Sequence, residues 1–199
     1  MKLTISREDL NAVDINSRKY VVSWTNSVQY FDKQAGDEFY RMLAFLSKSM
    51  PEDTTLVDIG TYHGLSTAAL SVNDKCTVFS YDIYDHISES SDVKASIKSL
   101  DNVQYKIKDC LDDEAILASA RLIVLDIDPH DGLQEVEILN KLRSIGYKGV
   151  VILDDIKLND KMKTFWNDIP ERKVDVTPFG HWSGTGIVYF SDEYDFNFQ

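Results

Sequence analysis

Residues 56–67, LVDIGTYHGLST, carry an apolar strand into Asp58, turn through Gly60 and Gly64, and enter a segment with helical composition. The spacing Gly60-x-x-x-Gly64 matches neither the phosphate loop G-x-x-x-x-G-K-[ST] nor the dinucleotide fingerprint G-x-G-x-x-G. A glycine turn lets backbone approach a ligand closely, and the helix N-terminus after it offers free N–H groups to a carboxylate or a phosphate. With no phosphate-loop lysine, a ligand carboxylate fits this turn at least as well as a pyrophosphate.

Outward from this turn the chain alternates. Upstream, DEFYRMLAFLSK (37–48) places Phe39, Met42, Leu43 and Leu46 at i, i+3, i+4 and i+7, an amphipathic helix ahead of the first strand of the alternating run. Downstream, short apolar runs recur: CTVFSYD, VQYKIKD, RLIVLDID, GVVILDD, KVDVTPF and TGIVYF. Helical segments separate them. One is GLQEVEILNKLRSIG, with Leu133, Val136, Leu139 and Leu142 on its expected buried face and Gly146 at its C-terminal cap. Such alternation predicts βαβ units in a mostly parallel sheet with right-handed crossovers. LIVL and VVIL are apolar on both parities, as strands covered on two faces are, and belong at the sheet centre. Only the short GHWSG turn separates the last two strands, which predicts an antiparallel hairpin at the sheet edge. The Ser-rich 85–100 segment reads as a polar surface helix. The expected organisation is one compact domain, with residues 1–50 an N-terminal helical cap or lid and residues 51–199 the sheet-bearing part.

Charge and composition exclude some functions. With 199 residues and a formal net charge of −12, the chain is a poor candidate for gripping a polyanion, because nucleic-acid affinity comes largely from Lys and Arg. MKLTISREDL has no signal-peptide run, and no apolar stretch reaches membrane-spanning length. A cytoplasmic protein without nucleic-acid or membrane partners is the expectation. Cys76 and Cys110 have no C-x-x-C spacing, so neither a zinc knuckle nor a redox pair is predicted.

Four apolar strands end in carboxylates: Asp58, Asp82, the pair Asp126 and Asp128, and the pair Asp154 and Asp155. Ligands of open parallel sheets bind outside the carboxyl ends of the strands, so these acids should converge on one cleft. Gathered without Lys or Arg, they repel one another, and a cation or a hydroxyl-rich ligand relieves the repulsion. Asp82, one strand-helix-strand unit after Asp58, suits both ribose hydroxyls of a nucleoside. A nucleoside with an amino-acid tail, as in S-adenosylmethionine, meets both requirements.

The run Asp58-Ile59-Gly60-Thr61-Tyr62-His63-Gly64-Leu65-Ser66 resembles the [DE]-[IL]-G-x-Y-x-G-x-S element of class I S-adenosylmethionine-dependent O-methyltransferases. The likeness is to the metal-dependent group with catechol, caffeoyl-CoA and macrocin sugar enzymes, and it spans roughly residues 35–190. It implies a Rossmann-like α/β fold with a seven-stranded, mostly parallel sheet, a terminal antiparallel hairpin and helices on both faces. It also implies that Gly60, Thr61, Tyr62, Gly64 and Ser66 line the methionine end of the cofactor, Ser66 on its carboxylate and Asp58 near its amino group. Asp82 would take the ribose, and Asp109 with Cys110 would flank the adenine. Asp126, Asp154 and Asp155 match the ligands of a divalent cation, Mg²⁺ by their hard oxygens, and the Asp-Asp pair looks most like the sugar-directed members. Asp128 is left as a cap or an outer partner of that set.

The family places Lys or His three positions after the first metal Asp, where this chain has Pro129. His130 is therefore the candidate base, its ordinary pKa of about 6.5 suiting proton uptake near neutrality, with Lys157 a weaker substitute. His181 and Trp182 in the hairpin turn are candidate acceptor contacts. Tyr20 and Trp24 are read as lid or core, and His63 and His86 as structural or solvent-exposed. The partner expected is a small-molecule or glycan acceptor, and a homodimer is open. Rival readings are a phenol-directed enzyme, an NAD-dependent oxidoreductase, a haloacid-type phosphatase suggested by Asp126-x-Asp128, and a non-catalytic adenosyl-binding module. The missing fingerprint, the final hairpin and the late position of the D-x-D run count against the second and third.

Overall fold

A computed structural model describes residues 1–87 and 95–199. The main sheet contains β2 (Thr55–Ile59), β3 (Thr77–Asp82), β4 (Val103–Ile107), β5 (Leu122–Leu125), β6 (Val150–Leu153), β7 (Arg172–Asp175) and β8 (Gly186–Tyr189). Their order is β4-β3-β2-β5-β6-β8-β7. β4 through β6 run parallel; β8 is antiparallel to both β6 and β7. The hairpin thus folds its second strand inward: β8 lies between β6 and β7, and β7 alone takes the edge. The chain winds outward in one direction from β2 and in the other from β5, so a switch point opens at their carboxyl ends, where ligands of such sheets bind.

The period of two along each strand explains the double-sided apolar runs. In β5, Leu122 and Val124 face one core with Leu56, Val150 and Ile152, while Ile123 and Leu125 face a second with Val57, Val151 and Leu153. Each such buried side chain contributes about 1.5–3 kcal/mol. The first core is covered by α4 (Tyr40–Ser49) and α5 (Leu65–Leu70), the second by α6 (Glu114–Ser119), α7 (Leu133–Ser144) and α8 (Asp160–Asp168). In β2 the first-core parity brings Asp58 under α5, fully buried.

The N-terminal segment holds α1 (Arg7–Ala12), α2 (Asn16–Val22) and α3 (Val28–Phe31) and packs Ile5, Leu10, Val21 and Phe31 into the first core. Its opening strand β1 (Lys2–Ile5) pairs in parallel with the final strand β9 (Asp195–Phe198), a second small sheet that sequence periodicity does not reveal. Trp24 packs against the core, whereas Tyr20 is exposed.

Two expectations are corrected. The buried stripe of α7 is Glu135, Ile138, Leu139 and Leu142, and Leu133 is 72% exposed, Val136 43%. The register of the helix on the sheet sets that face, and it admits a glutamate that hydrophobicity alone would turn outward. The expected helix over 85–100 falls in part on residues 88–94, outside the described residues; in the described part there is no α-helix, and Ile97–Ser99 forms one 3₁₀ turn with Ile97 buried. Gly146, at φ +68°, closes α7 as its position predicts, with Tyr147 N–H donating to Leu142 O at 3.0 Å. Among the described residues no helix is long and apolar enough to cross a membrane.

Candidate functional site

A cleft of about 760 Å³ opens at the switch point, lined by Gly60, Tyr62, Asp82, Asp109, Cys110, Asp126 and His130 among others. That volume suits a nucleoside-sized ligand. The turn after β2 is pressed against the end of β5, where Asp126 N–H donates to Ile59 O at 3.0 Å. A Cβ on Gly60, at φ +93°, would lie 1.6 Å from Asp126 O, so only glycine brings the two strand ends this close.

Beneath the turn lies a polar floor. Ser66 Oγ donates to Asp58 Oδ2 at 2.8 Å, Thr67 Oγ1 donates to the same oxygen, and Ser80 Oγ joins Thr67 and Thr61 at 2.7 and 2.6 Å. Burial raises the Asp58 carboxyl to about 6, against the pull of these hydroxyls, and its Oδ1 is buried without a partner. Ser66 thus turns inward onto Asp58, and Thr61 onto Ser80 and Tyr81 O, under the turn, where the family pattern implied contacts with the cofactor. Gly64, at φ +81°, is packed against Ile97, whose Cγ2 would be 2.9 Å from an added Cβ.

Along the cleft, Asp82 is fixed by two backbone donors, Tyr62 N–H to Oδ2 at 2.8 Å and Tyr84 N–H to Oδ1 at 3.0 Å. Tyr62 is 56% exposed and stacks on His63 at 3.7 Å between ring centroids. His86, read from sequence as structural or exposed, instead lines the cleft, with its Nε2 4.0 Å from Asp82. Asp109 accepts from Leu111 N–H at 2.9 Å, and burial raises the neighbouring Cys110 thiol to about 12, leaving it an unreactive wall.

At the other end of the cleft, the acids of β5 and β6 meet two histidines. Asp126, His130 and Asp155 offer ligand atoms within 4.8 Å of one another, and so do Asp154, Asp155 and His181. The three carboxylates expected as one set therefore form two overlapping sets that share Asp155. His130 Nε2 lies 3.4 Å from Asp155 Oδ2 and 3.2 Å from Asp128 Oδ1, which makes exposed Asp128 a partner of His130. His181 Nδ1 lies 2.6 Å from Ser183 Oγ, 3.5 Å from Asp154 and 3.6 Å from Asp155, and Ser183 Oγ donates to Asp155. His181, a candidate acceptor contact by sequence, thus belongs to the acid cluster. Trp182 beside it is 72% exposed. Lys157 is paired with Asp175 at 2.6 Å, away from the acids.

Electrostatics follow from this crowding. Desolvation and the charges of Asp154 and Asp155 hold the half-buried Asp126 carboxyl well above its usual range. Burial raises Asp154 as well. Asp155 falls below its usual value, because the hydrogen bonds of His181 and Ser183 outweigh its burial. Burial disfavours the His181 imidazolium, yet the hydrogen bonds to Asp154 and Asp155 prevail and raise it to about 10. Asp154 Oδ1 is buried without a partner. An orphaned oxygen among hard donors fits a divalent cation, and the two imidazoles extend the choice from Mg²⁺ toward Mn²⁺.

Among solved structures, the chain is similar to the SAH-bound Podospora anserina methyltransferase PaMTH1, with TM-score 0.62 and 14% identity over 88% of this chain and 87% of that one. It is also similar to a Geobacter sulfurreducens methyltransferase, with TM-score 0.55 and 14% identity over 89% and 90%. The chain has a Rossmann-like methyltransferase fold. At such identity the likeness speaks to the fold. Neither a protein-family model nor a curated protein matches the sequence. Within this fold the cleft lies where the strand order reverses, and the acid cluster closes one end of it. Glu38 and Ser183, which approach that cluster from the N-terminal segment and the hairpin loop, carry no sequence signal, since neither stands at a strand end.

Proposed function

We propose that the protein is an S-adenosylmethionine-dependent O-methyltransferase acting on a hydroxyl of a small molecule or glycan, sugar rather than phenol, with Mg²⁺ at the acid cluster. The observation that carries this is one cleft with a glycine turn, a backbone-fixed Asp82, Asp126 and His130 in its lining, and Asp155 next to Asp126 and His130, where it joins them to the set of Asp154 and His181. Asp82 binds the ribose hydroxyls, and Asp109 with Cys110 flanks the base. Gly60 and Tyr62 face the amino-acid tail, over the floor that Asp58 and Ser66 build. Asp126, Asp154 and Asp155 would hold the cation, which when bound supplies Lewis acidity toward the acceptor hydroxyl. His130, in the cleft wall beside Asp155, would take the hydroxyl proton as the acceptor oxygen displaces the thioether, S-adenosylhomocysteine, from the methyl group. Trp182, exposed next to His181, offers a face to a sugar ring. A neutral, hydroxyl-rich acceptor also suits a chain of net charge −12.

The test is the thermal unfolding midpoint with S-adenosylhomocysteine, NADH or no ligand, each with Mg²⁺ or chelator. A ligand at a hundredfold excess over Kd adds about 2.7 kcal/mol, roughly 5–10 °C for a chain of this size. A rise with S-adenosylhomocysteine supports the methyl-donor site and opens a screen of sugar and catechol acceptors with metal. No rise, or a rise with NADH alone, overturns it.

A further inference from the structure

Glu38 lies one residue ahead of the N-cap of α4, in the N-terminal segment, and is 6% exposed. Its Oε2 is 3.8 Å from His181 Nε2, while the other ring nitrogen of His181 faces Ser183, Asp154 and Asp155. The imidazole is thus gripped from both sides, by the N-terminal segment and by the end of β6. The loop that carries His181 is tied to the same segment. Arg7 Nη2 donates to Pro178 O at 2.6 Å, and Gly36 approaches so closely that an added Cβ would lie 2.7 Å from that oxygen. The His181 backbone N–H donates to Thr185 Oγ1 at 2.8 Å, which holds the loop from its far side.

We propose that Glu38 is a positioning residue of the acid cluster: facing His181 Nε2, it shares the imidazole with Asp154 and Asp155, so that the ring does not lean on that pair alone and their oxygens stay available to a divalent cation. The proposal rests on the reading of that cluster as a cation site, which the orphaned, buried Asp154 Oδ1 supports independently of His181. Without the Glu38 carboxylate, the ring has partners on one side only and leans fully on the pair. Cation capacity at the end of β6 then depends on a residue far away in sequence, and the N-terminal segment is part of the site as well as of the core.

The experiment is a double-mutant cycle read by direct Mn²⁺ titration of the intact chain, with no acceptor or methyl donor present. Partners of metal-site groups typically alter affinity about 10–100-fold, so Glu38→Gln is expected to weaken Mn²⁺ binding about tenfold. In the His181→Ala background the same substitution is expected to change it less than about twofold, since Glu38 acts through the ring. Glu38→Asp should restore part of the loss. If Glu38→Gln does not fold, a ¹⁵N spectrum of the His181 ring in Glu38→Asp serves instead, where a displaced Nε2 resonance is expected. Equal losses in both backgrounds, an unmoved Nε2 resonance, or no Mn²⁺ binding by the wild-type chain overturns the proposal. S-adenosylhomocysteine binding tests the methyltransferase reading separately, because it involves neither Glu38 nor Mn²⁺.

Discussion

Two regions near the switch point bury carboxylates, and they do it in opposite ways. Under the glycine turn, a single acid, Asp58, is held by hydroxyls only eight and nine residues along the chain, Ser66 and Thr67. At the ends of β5 and β6, three acids stand together and are met by two imidazoles from separate loops. One buried carboxylate can be held by neutral donors from its own neighbourhood, here on Oδ2 alone, with burial favouring its protonated form, so it becomes part of the architecture. Three cannot, because their mutual repulsion adds to the desolvation of each, and they call for positive charge. Function is expected at the second region and support at the first.

The sharpest break in this contrast is Asp154→Ala. Turnover with Mg²⁺ is expected to fall about a hundredfold or more while the S-adenosylhomocysteine thermal shift persists, since loss of a ligand should cost no less than the roughly 10–100-fold that loss of a ligand's partner costs. Equal loss of turnover and cofactor binding would remove the division of labour between the two ends of the cleft. Gly60→Ala attacks the junction between the regions. With a Cβ 1.6 Å from Asp126 O, it should cost about 3 kcal/mol or more in urea unfolding, by displacing the turn from β5.

Asp58→Asn examines the floor through pH. The folded-state carboxyl titrates near 6, against an ordinary value of 3.8, so the fold favours its protonated form. The stabilisation is present below the unfolded pKa and lost as pH rises through 6, about 3 kcal/mol across the window. The Asn variant should lack that slope, and urea unfolding at pH 4.5 and 8 would show it; an unchanged slope would assign the titration elsewhere. The smallest effect is Ser66→Ala, which leaves Thr67 on Asp58 and should cost about 1 kcal/mol. Its S-adenosylhomocysteine affinity should be unchanged. A tenfold loss would return Ser66 to the ligand, as the family pattern implied.

The sheet was legible because its signals are local. LIVL and VVIL announce strands covered on both faces, and Gly146 marks a helix end within one turn of the residues it caps. The face of α7 is not legible in the sequence, because hydrophobicity ranks side chains without knowing which stripe meets the sheet, and there Glu135 takes a buried place ahead of Leu133. The pairing of β1 with β9 escaped because it joins the two ends of the described chain, where no period exists to detect.

For the site, the acids were legible and their partners were not. Strand ends in a parallel sheet point to one edge whatever the details of packing, so Asp58, Asp82, Asp126, Asp154 and Asp155 could be assigned to that edge from sequence. The glycines of the turn were legible as residues, but the close approaches that require them, Gly60 to Asp126 O and Gly64 to Ile97, are made by packing. Which hydroxyl turns inward, which histidine meets which acid, and that Glu38 reaches His181 were decided only by the tertiary structure. Periodicity and backbone sterics act over a few residues, whereas charge pairing depends on distances between residues remote in sequence, and packing alone sets those distances.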